Sequence, residues 1–238
     1  MAKKILVIDD SALMRRVISD IINSGGDYEV AAIARDGVEG FDLIVSNPHL
    51  YSAVILDINM PKMNGLELLE KLQKNRIEQT VIVVSTVAKE GAKETIKALE
   101  LGAFDFVTKP ENYLETKGET FKNNIHKMLD LATGSHRSKV DLRTTSFAKP
   151  GSVVRPAKPK PVVMPRKLEP GNFTGVKTGR KKIVALACST GGPKSLQQVI
   201  PYLPKNLDAP VVLVQHMPAG FTFSLSQRLN EISEVEVK

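Results

Sequence analysis

Five short apolar runs alternate with helical patterns over the first 131 residues, and this alternation restricts the fold more than any other feature. The runs are rich in Val and Ile, and each is followed by a helical pattern. Nearly continuous apolar strands, each followed by a helix, indicate a parallel sheet with helices on both faces. We predict strands at Ile5–Ile8, Glu29–Ala34, Ala53–Ile58, Val81–Ser85 and Phe104–Thr108, and helices at Leu13–Asn23, Val38–Ser46, Leu66–Lys74, Lys89–Glu100 and Glu115–Leu131.

Five strand–helix units in about 130 residues predict an α/β fold of the flavodoxin type, with a doubly wound five-stranded parallel sheet. In such a sheet the carboxyl ends of the strands share one edge, and ligands bind beyond that edge. We therefore predict a first domain at residues 1–133 whose functional side chains follow its strands.

Residues 134–180 interrupt the pattern with six of the chain's 14 prolines and a net charge of +9, from eleven Lys/Arg and two Asp/Glu. Such a segment buries too little apolar surface to fold, so we predict a flexible Pro/Lys/Arg-rich linker. The whole chain carries +7, so the remaining residues are slightly acidic. A basic linker gives nonspecific phosphate affinity without base readout, and we predict no nucleic-acid partner.

Strand and helix patterns resume at Lys182. We predict a strand at Ile183–Cys188, a helix at Pro193–Ile200 and a strand at Val211–Gln215. This βαβ order indicates a second doubly wound domain. The 58 residues from 181 to 238 are too few for an independent α/β domain, so we expect them to be only its N-terminal part.

Composition indicates a globular protein without membrane insertion. Hydrophobic residues make up 42% and charged residues 25% of the chain, and no apolar run reaches the roughly 18 to 20 residues that span a bilayer. The basic and then apolar start resembles a signal peptide, but Asp9 and Asp10 end the apolar run too early for one. The single cysteine, Cys188, agrees with a reducing compartment, and we predict a cytoplasmic location.

Acidic and basic side chains stand at the ends of the predicted strands. Asp9 and Asp10 follow the first strand and Asp57 ends the third, so their carboxylates can converge around a hard cation such as Mg²⁺. A carboxylate can accept a phosphoryl group. Ser85 ends the fourth strand and can contact a phosphoryl oxygen, while Lys109 follows the fifth and can offset charge on the transferring group. Together they predict Mg²⁺-assisted phosphoryl transfer.

Each of these residues also has a structural interpretation when taken alone. Asp9 and Asp10 before Ser11 can be a helix N-cap with a neighbouring acid, and Lys109 can simply end a strand. The arrangement of functional residues at successive strand ends favours a phosphorylation site.

These motifs closely resemble those of response-regulator receivers. They are Asp9-Asp10-Ser11, the run from Asp57 to Gly65 (DINMPKMNG), Ser85, and Phe106-Val107-Thr108-Lys109-Pro110. The resemblance covers residues 1–131 and implies that Asp57 is the phosphoacceptor. It also implies that Asp10 and Asp57 bind Mg²⁺ directly, with Asp9 acting through water and the Asn59 carbonyl as a further ligand. A cis peptide bond between Lys109 and Pro110 is typical of the family.

Two further residues occupy switch positions of that family. The resemblance implies that Ser85 supplies a switch hydroxyl, which moves toward the phosphoryl group, and that the aromatic ring of Phe106 fills the vacated space. From its residue type alone, Phe106 is equally well explained by core packing.

A second candidate site follows the strand at Ile183–Cys188. Ser189 stands on a glycine-rich turn between strand and helix, where a serine is exposed and helix N-terminal amides can stabilise an oxyanion. His216 follows the next strand, and adjacent parallel strands would place the two backbones about 5 Å apart. The pair predicts a nucleophile and its base. Glycine-rich turns also bind phosphate or simply turn, and a lone strand-end histidine is often a loop residue.

These residues also resemble a known family. Cys188-Ser189-Thr190-Gly191-Gly192-Pro193, the run from Gln215 to Thr222 (QHMPAGFT), and Arg228-Leu229 look like the start of a protein-glutamate methylesterase (CheB) catalytic domain. The resemblance implies that Ser189 is the nucleophile and His216 the base, with Thr190 helping to shape the oxyanion site. A receiver, a linker and this domain, in that order, are the CheB architecture.

The CheB resemblance implies a chemotaxis enzyme that hydrolyses γ-glutamyl methyl esters on methyl-accepting chemoreceptors, often with glutamine deamidation. A chemotaxis histidine kinase would be the phosphodonor for the receiver, and the esterase itself would need no cofactor.

The family's triad aspartate comes later than residue 238. Asp208 is the only aspartate after Arg180, and it precedes its strand, at the wrong edge for a triad. Loss of a triad aspartate can lower the rate by about 10⁴, so we expect this chain to be phosphorylated but not to hydrolyse esters. The alternative is an interaction module with an inactive output segment. A DNA-binding output is disfavoured because residues 183–215 indicate βαβ rather than helix-turn-helix.

Overall fold

The computed structural model describes residues 1–86, 88–110, 118–135 and 182–238. The described residues before and after the gap at 136–181 pack into one compact unit. The predicted linker, residues 134–180, lies almost entirely outside the described residues.

The first part of the chain forms a five-stranded parallel sheet with the strand order β2-β1-β3-β4-β5. Its strands are β1 Lys3–Ile8, β2 Tyr28–Ala34, β3 Ala53–Asp57, β4 Val81–Ser85 and β5 Asp105–Thr108. Its helices are α1 Ala12–Asn23, α2 Gly37–Ser46, α3 Gly65–Lys74, α4 Lys89–Glu100 and α5 Glu119–Ala132. The predicted flavodoxin-like fold is confirmed.

Two apolar clusters lie on opposite faces of this sheet. One joins the sheet to α1 and α5 through side chains such as Ile18 and Ile125, and the other joins it to α2, α3 and α4 through side chains such as Leu68 and Ile96. The strands β3 and β4 are buried at every residue, whereas β2 at the edge alternates between buried and accessible positions. This pattern explains why the central strands are continuously apolar in sequence.

Local capping fixes where the helices begin after the strands. The Ser11 hydroxyl accepts a hydrogen bond from the Met14 amide at the start of α1, and Asp36 caps α2. At α3, Asn64 and Glu67 form a reciprocal capping box. These caps satisfy backbone amides in the first turns of α1, α2 and α3, and so fix where each helix begins after its strand.

The last part of the chain forms a smaller parallel pair, β6 Val184–Cys188 and β7 Val211–Gln215. Between them lie α6 Gly192–Val199 and a 3₁₀ turn at Ile200–Tyr202, and α7 Phe221–Ile232 follows β7. The predicted helix to Ile200 ends one residue early, at Val199, and Ile200 begins the 3₁₀ turn. Pro201 has no N–H group with which to continue the α-helical hydrogen bonds. No helix in the described part of the chain is long and apolar enough to cross a bilayer.

The core packing gives a stability prediction. Leu68 on α3 is fully buried, whereas Leu13 on α1 is 50% exposed. We expect Leu68→Ala to lower the free energy of unfolding by about 2–5 kcal/mol, because it removes apolar contacts and leaves a cavity. The matched substitution Leu13→Ala should change it by less than about 0.5 kcal/mol. Urea denaturation followed by circular dichroism measures both, and equal effects would contradict the assigned core.

Candidate functional site

Three carboxylates meet at the carboxyl edge of the five-stranded sheet. Asp9 and Asp10 follow β1 and Asp57 ends β3, and one oxygen of each lies within 4.8 Å of the others. Asp9 and Asp57 are buried, whereas Asp10 is exposed. The structure thus brings together the acidic residues that the sequence places at separate strand ends.

Lys109 neutralises part of this negative charge. Its Nζ atom lies 2.8 Å from Asp57 Oδ2 and 2.9 Å from Asp9 Oδ2, and its side chain is only 14% exposed. Burial raises the pKa of Asp57 above its ordinary value, against the opposing effect of Lys109. Burial alone would lower the pKa of Lys109, but the Asp57 and Asp9 carboxylates outweigh it and raise that pKa.

The same three carboxylates fit a hard divalent cation. Mg²⁺ takes oxygen ligands and usually retains waters. Two buried carboxylates and one exposed carboxylate within 4.8 Å of one another can supply such ligands. Asp9 is held by a hydrogen bond from the Ser11 amide to its Oδ1 atom (2.9 Å), which orients the carboxylate. Asn59 lies two residues after Asp57, and its side-chain amide donates to Glu94 Oε2 on α4 (3.0 Å).

Gly65 gives the loop after Asp57 its close packing. A Cβ atom at this position would overlap the Asp57 carbonyl oxygen and lie 2.8 Å from Ile58 Cα. The Gly65 amide donates instead to the Ile58 carbonyl at 2.7 Å. Gly65, the last residue of the run from Asp57 to Gly65, therefore packs directly against the backbone of Asp57 and Ile58.

Ser85 ends β4, the strand next to β3, and Lys109 follows β5, which pairs with the other side of β4. The Ser85 hydroxyl is directed toward the Gly91 carbonyl at the start of α4, 3.2 Å away.

The Lys109–Pro110 peptide bond is trans, since the described residues contain no cis peptide. The cis bond expected from the receiver resemblance is therefore wrong for this structure. Trans is the lower-energy form of an X–Pro bond by about 0.5–1 kcal/mol.

Phe106 packs on the last part of the chain. Its ring stacks on that of Phe221 in α7, with centroids 4.6 Å apart and an interplanar angle of 23°. Both rings are buried, Phe221 completely. The candidate switch aromatic is thus a direct contact between the receiver and residues 182–238.

The second candidate site lies at the carboxyl ends of β6 and β7. These strands are parallel with Cys188 opposite Gln215, and the His216 amide donates to the Cys188 carbonyl at 3.1 Å. Ser189 and His216 are therefore the next pair in register, both with exposed side chains. Thr190 follows Ser189 in the turn that leads into α6. Asp208 precedes β7 and lies toward the opposite edge of this pair.

A cavity of about 360 Å³ separates this site from the receiver. Ser189, Thr190 and His216 line one side, while Asp105, Phe106 and Lys127 line the other. Asp105 crosses the boundary, because its Oδ2 atom accepts a hydrogen bond from the Gly191 amide at 2.8 Å. Burial raises the pKa of the Asp105 carboxyl, partly offset by hydrogen bonds from Gly191 and Phe106.

A salt bridge adds to this contact at the α4–α7 boundary. Arg228 Nη2 on α7 lies 2.7 Å from Glu100 Oε1 on α4, with both side chains about 30% exposed. Partial burial raises the pKa of Glu100, but hydrogen bonds from Arg228 and Lys97 outweigh it and leave that pKa lowered. The Lys194 ammonium also donates to the Gly102 carbonyl at 3.0 Å.

Sequence reasoning did not identify the contact roles of Asp105, Glu100, Phe221 or Arg228. Asp105 and Glu100 have no distinctive spacing, and Arg228 and Phe221 stand out only as parts of a longer motif. Their significance comes from pairing between segments more than 85 positions apart, as for Asp105 and Gly191 with a separation of 86. Local pattern carries no signal for such pairs.

Comparison with known protein families assigns both parts of the chain. Residues 5–117 match the response regulator receiver domain, and residues 184–238 match the CheB methylesterase family. These ranges contain the carboxylate cluster and the Ser189–His216 pair, respectively.

Curated relatives are similar over almost the whole chain. It is 40% identical over 236 residues to a protein-glutamate methylesterase/protein-glutamine glutaminase of Pyrococcus horikoshii, covering 99% of this chain and 58% of that protein. It is 41% identical over 236 residues to the protein of the same name from Bacillus subtilis, covering 99% and 62%. The chain thus spans about three fifths of the length of these relatives.

A solved structure is also similar. The response regulator domain of Thermotoga maritima CheB is 36% identical with a TM-score of 0.47, and the match covers 56% of this chain and 96% of that one. The two domain matches and the similarity along 99% of the sequence agree with each other. Along the chain, a region similar to the response regulator receiver domain is thus followed by a region similar to the CheB methylesterase family.

Proposed function

We propose that this protein is a phosphorylation-regulated protein-glutamate methylesterase of chemotaxis, with glutamine deamidation as a second activity. The observation that carries the proposal is the cavity that Ser189 and His216 share with Asp105 and Phe106 of the receiver. It supports the proposal because the candidate nucleophile and base line the same cavity as residues of β5.

In the proposed receiver reaction, an Asp57 oxygen attacks phosphorus in a phosphohistidine donor, and the P–N bond to the donor breaks. Lys109, 2.8 Å from Asp57 Oδ2, is placed to contact the incoming phosphoryl group. Asp9, Asp10, Asp57 and the Asn59 carbonyl would hold Mg²⁺, which supplies charge neutralisation when bound. Ser85 then turns from the Gly91 carbonyl toward the phosphoryl group.

In the proposed ester reaction, the Ser189 hydroxyl attacks the carbonyl carbon of a γ-glutamyl methyl ester while His216 takes its proton. The ester C–O bond breaks, and methanol leaves with that proton. Water then cleaves the acyl-serine bond, which releases a glutamate side chain and restores Ser189. A glutamine side chain would follow the same route and release ammonia.

The proposed partners follow from the two activities. A chemotaxis histidine kinase would supply the phosphoryl group, and methyl-accepting chemoreceptors would supply the esters, in the cytoplasm. We propose no cofactor for the ester reaction.

A phosphorylation experiment tests the receiver assignment. With a radiolabelled small phosphodonor, we expect Mg²⁺-dependent, acid-stable and base-labile labelling that falls to background in Asp57→Ala, because the acceptor oxygen is removed. Asp20→Ala, at a 73% exposed aspartate on α1, should label like the parent protein. Chelation of Mg²⁺ should also abolish the label. Base-labile label retained in Asp57→Ala would refute the site.

An ester-release experiment tests the second site. The chain spans three fifths of its relatives, so the assay uses the complete reading frame that carries these residues, with methyl-labelled chemoreceptors. Ser189→Ala and His216→Ala should each lower methanol release by about 10³-fold or more, because nucleophile and base act as a unit. Ser195→Ala, at an exposed serine of α6, is the matched control. Full release by Ser189→Ala would contradict the proposal.

The second candidate function is a phosphorylatable interaction module with an inactive output segment. One observation favours it: the only aspartate in residues 182–238, Asp208, precedes β7 and lies away from Ser189 and His216. Phosphodonor labelling without ester release from the complete protein would support this alternative.

We further propose that phosphorylation acts through the boundary between α4, β5 and α7. Stacking of Phe106 on Phe221, the Glu100–Arg228 ion pair and the Asp105–Gly191 hydrogen bond all hold the receiver over the second site. If Phe106 moves inward when Ser85 engages the phosphoryl group, the stacking contact is lost. The cavity would then open to a receptor segment.

Reversal of the ion pair tests this regulation. Glu100→Arg places two guanidinium groups together, and we expect ester release without phosphodonor to rise by about 3- to 10-fold, since such pairs are worth about 1 kcal/mol. Adding Arg228→Glu should restore the low basal rate. Charge reversal of the exposed Arg16–Asp20 pair (3.8 Å) is the matched control. An unchanged basal rate in Glu100→Arg would contradict the regulatory proposal.

A further inference from the structure

The side chain of Gln215 lies between the backbones of the two proposed reacting residues. Its Nε2 atom is 2.9 Å from the Ser189 carbonyl oxygen and 3.1 Å from the His216 carbonyl oxygen. Both partners are acceptors without protons, so only the NH₂ end of the amide can face them. One primary amide thus donates to both residues.

These contacts begin where the β6–β7 ladder ends. The last rung pairs Cys188 with Gln215, and the His216 amide donates to the Cys188 carbonyl at 3.1 Å. Beyond this rung the strands diverge into different loops, and carbonyl groups there need other donors. The Ser189 carbonyl also accepts the Gly192 amide at 2.8 Å within the turn, and Gln215 adds a donor from the other strand. Because the same side chain also donates to the His216 carbonyl, Gln215 extends the coupling of the two strands by one residue.

Gly192 provides the room that this amide needs. A Cβ atom at residue 192 would overlap Gln215 Oε1 and lie 2.7 Å from Cys188 Cβ. Gly192 is the first residue of α6, where alanine would otherwise be favoured by about 1 kcal/mol. Its neighbour Gly191 has a different reason to be glycine, because its φ angle is +71°.

The oxygen of the Gln215 side-chain amide lacks a hydrogen-bond partner in the described part of the chain, although both of the carbonyl contacts of its nitrogen are made. Gln215 Oε1 is buried and has no hydrogen-bond partner among the described residues. An unsatisfied buried acceptor typically costs about 1–3 kcal/mol. A glutamine that served only to fill space would carry this cost without any gain, whereas its two donors each reach a carbonyl of the site.

We infer that Gln215 is a positioning residue, which fixes the separation of the Ser189 and His216 backbones, and that Gly192 is glycine to admit its amide. The inference rests on the proposed function for the roles of Ser189 and His216. Gln215 acts through the backbone carbonyls of Ser189 and His216 rather than through the serine hydroxyl or the imidazole ring. It holds nucleophile and base at the distance that proton transfer requires.

Substitution of Gln215 by glutamate tests the inference with little change in size. Gln215→Glu removes both donors and places a carboxylate against two carbonyl oxygens. In the complete protein we expect kcat for ester release to fall about 10- to 100-fold, because small misplacements of reacting groups cost this much. KM should stay within about twofold, since the substrate contacts remain.

Gln197→Glu is the matched control. Gln197 on α6 is also partly buried, and its Nε2 atom donates to a backbone carbonyl, that of Pro193, at 3.3 Å. The same amide-to-carboxylate change there leaves Ser189 and His216 untouched. We expect kcat within about twofold of the parent, and an equal loss in both variants would overturn the positioning role.

Gly192→Ala provides an independent route to the same defect. Its methyl group should displace the Gln215 amide and lower kcat to a similar extent, with KM little changed. The double variant Gly192→Ala/Gln215→Glu should be no worse than the more damaging single variant, because both disrupt one contact. Additive losses would contradict the claim that Gly192 acts through Gln215.

A structural measurement keeps this inference separate from the proposed function. Amide hydrogen exchange on the 238-residue chain should show faster exchange at His216 and Gly192 in Gln215→Glu, but not in Gln197→Glu. Unchanged exchange at both amides would overturn the inference whatever the activity. Conversely, full ester release by Ser189→Ala alongside faster exchange would defeat the proposed function and leave the geometric role of Gln215 in place.

Discussion

The ion pairs of Lys109 hold two buried carboxylates together, and the arrangement of the candidate phosphorylation site depends on them. Asp9 follows β1 and Asp57 ends β3, and these two strands are paired. The two negative charges are therefore held close together and would repel in a medium of low polarity. The Lys109 ammonium lies within 2.9 Å of both. Its position is set by β5, which pairs with β4 in a parallel register from Asp105 to Thr108. Strand pairing thus places a cation from residue 109 beside acids from residues 9 and 57.

Helix α4 connects this edge to the last part of the chain, residues 182–238. Near its start, the Gly91 carbonyl lies 3.2 Å from the Ser85 hydroxyl, and Glu94 accepts a hydrogen bond from Asn59. At its end, Glu100 pairs with Arg228 of α7. One helix therefore contacts the loop after Asp57 and the segment that carries Ser189 and His216. A shift of α4 as a rigid element would change its contacts with Ser85 and Asn59 and its contact with Arg228.

The sequence was sufficient to predict the sheet and the residues at its edge, but not the contacts between the two parts of the chain. Strands such as Val81–Ser85 can be recognised in the sequence because they are buried on both faces and therefore almost continuously apolar. Residues that follow such strands must share an edge, which is why Asp57 and Lys109 could be grouped. The partners of Asp105 and Phe106 depend on how two surfaces dock, and no local periodicity encodes that. The trans Lys109–Pro110 bond differs from the family expectation.

The stacking of Phe106 on Phe221 has a consequence for substrate binding under the proposed regulation. A ring that seals the boundary cannot also fill the space behind Ser85, so closure and phosphorylation compete for one side chain. Thermodynamic linkage makes such competition symmetrical. A chemoreceptor that displaces the receiver from the cavity would free Phe106 and thereby make Asp57 a better phosphoryl acceptor. Under the proposed regulation, binding of the substrate would then favour the phosphorylation that opens the cavity to it.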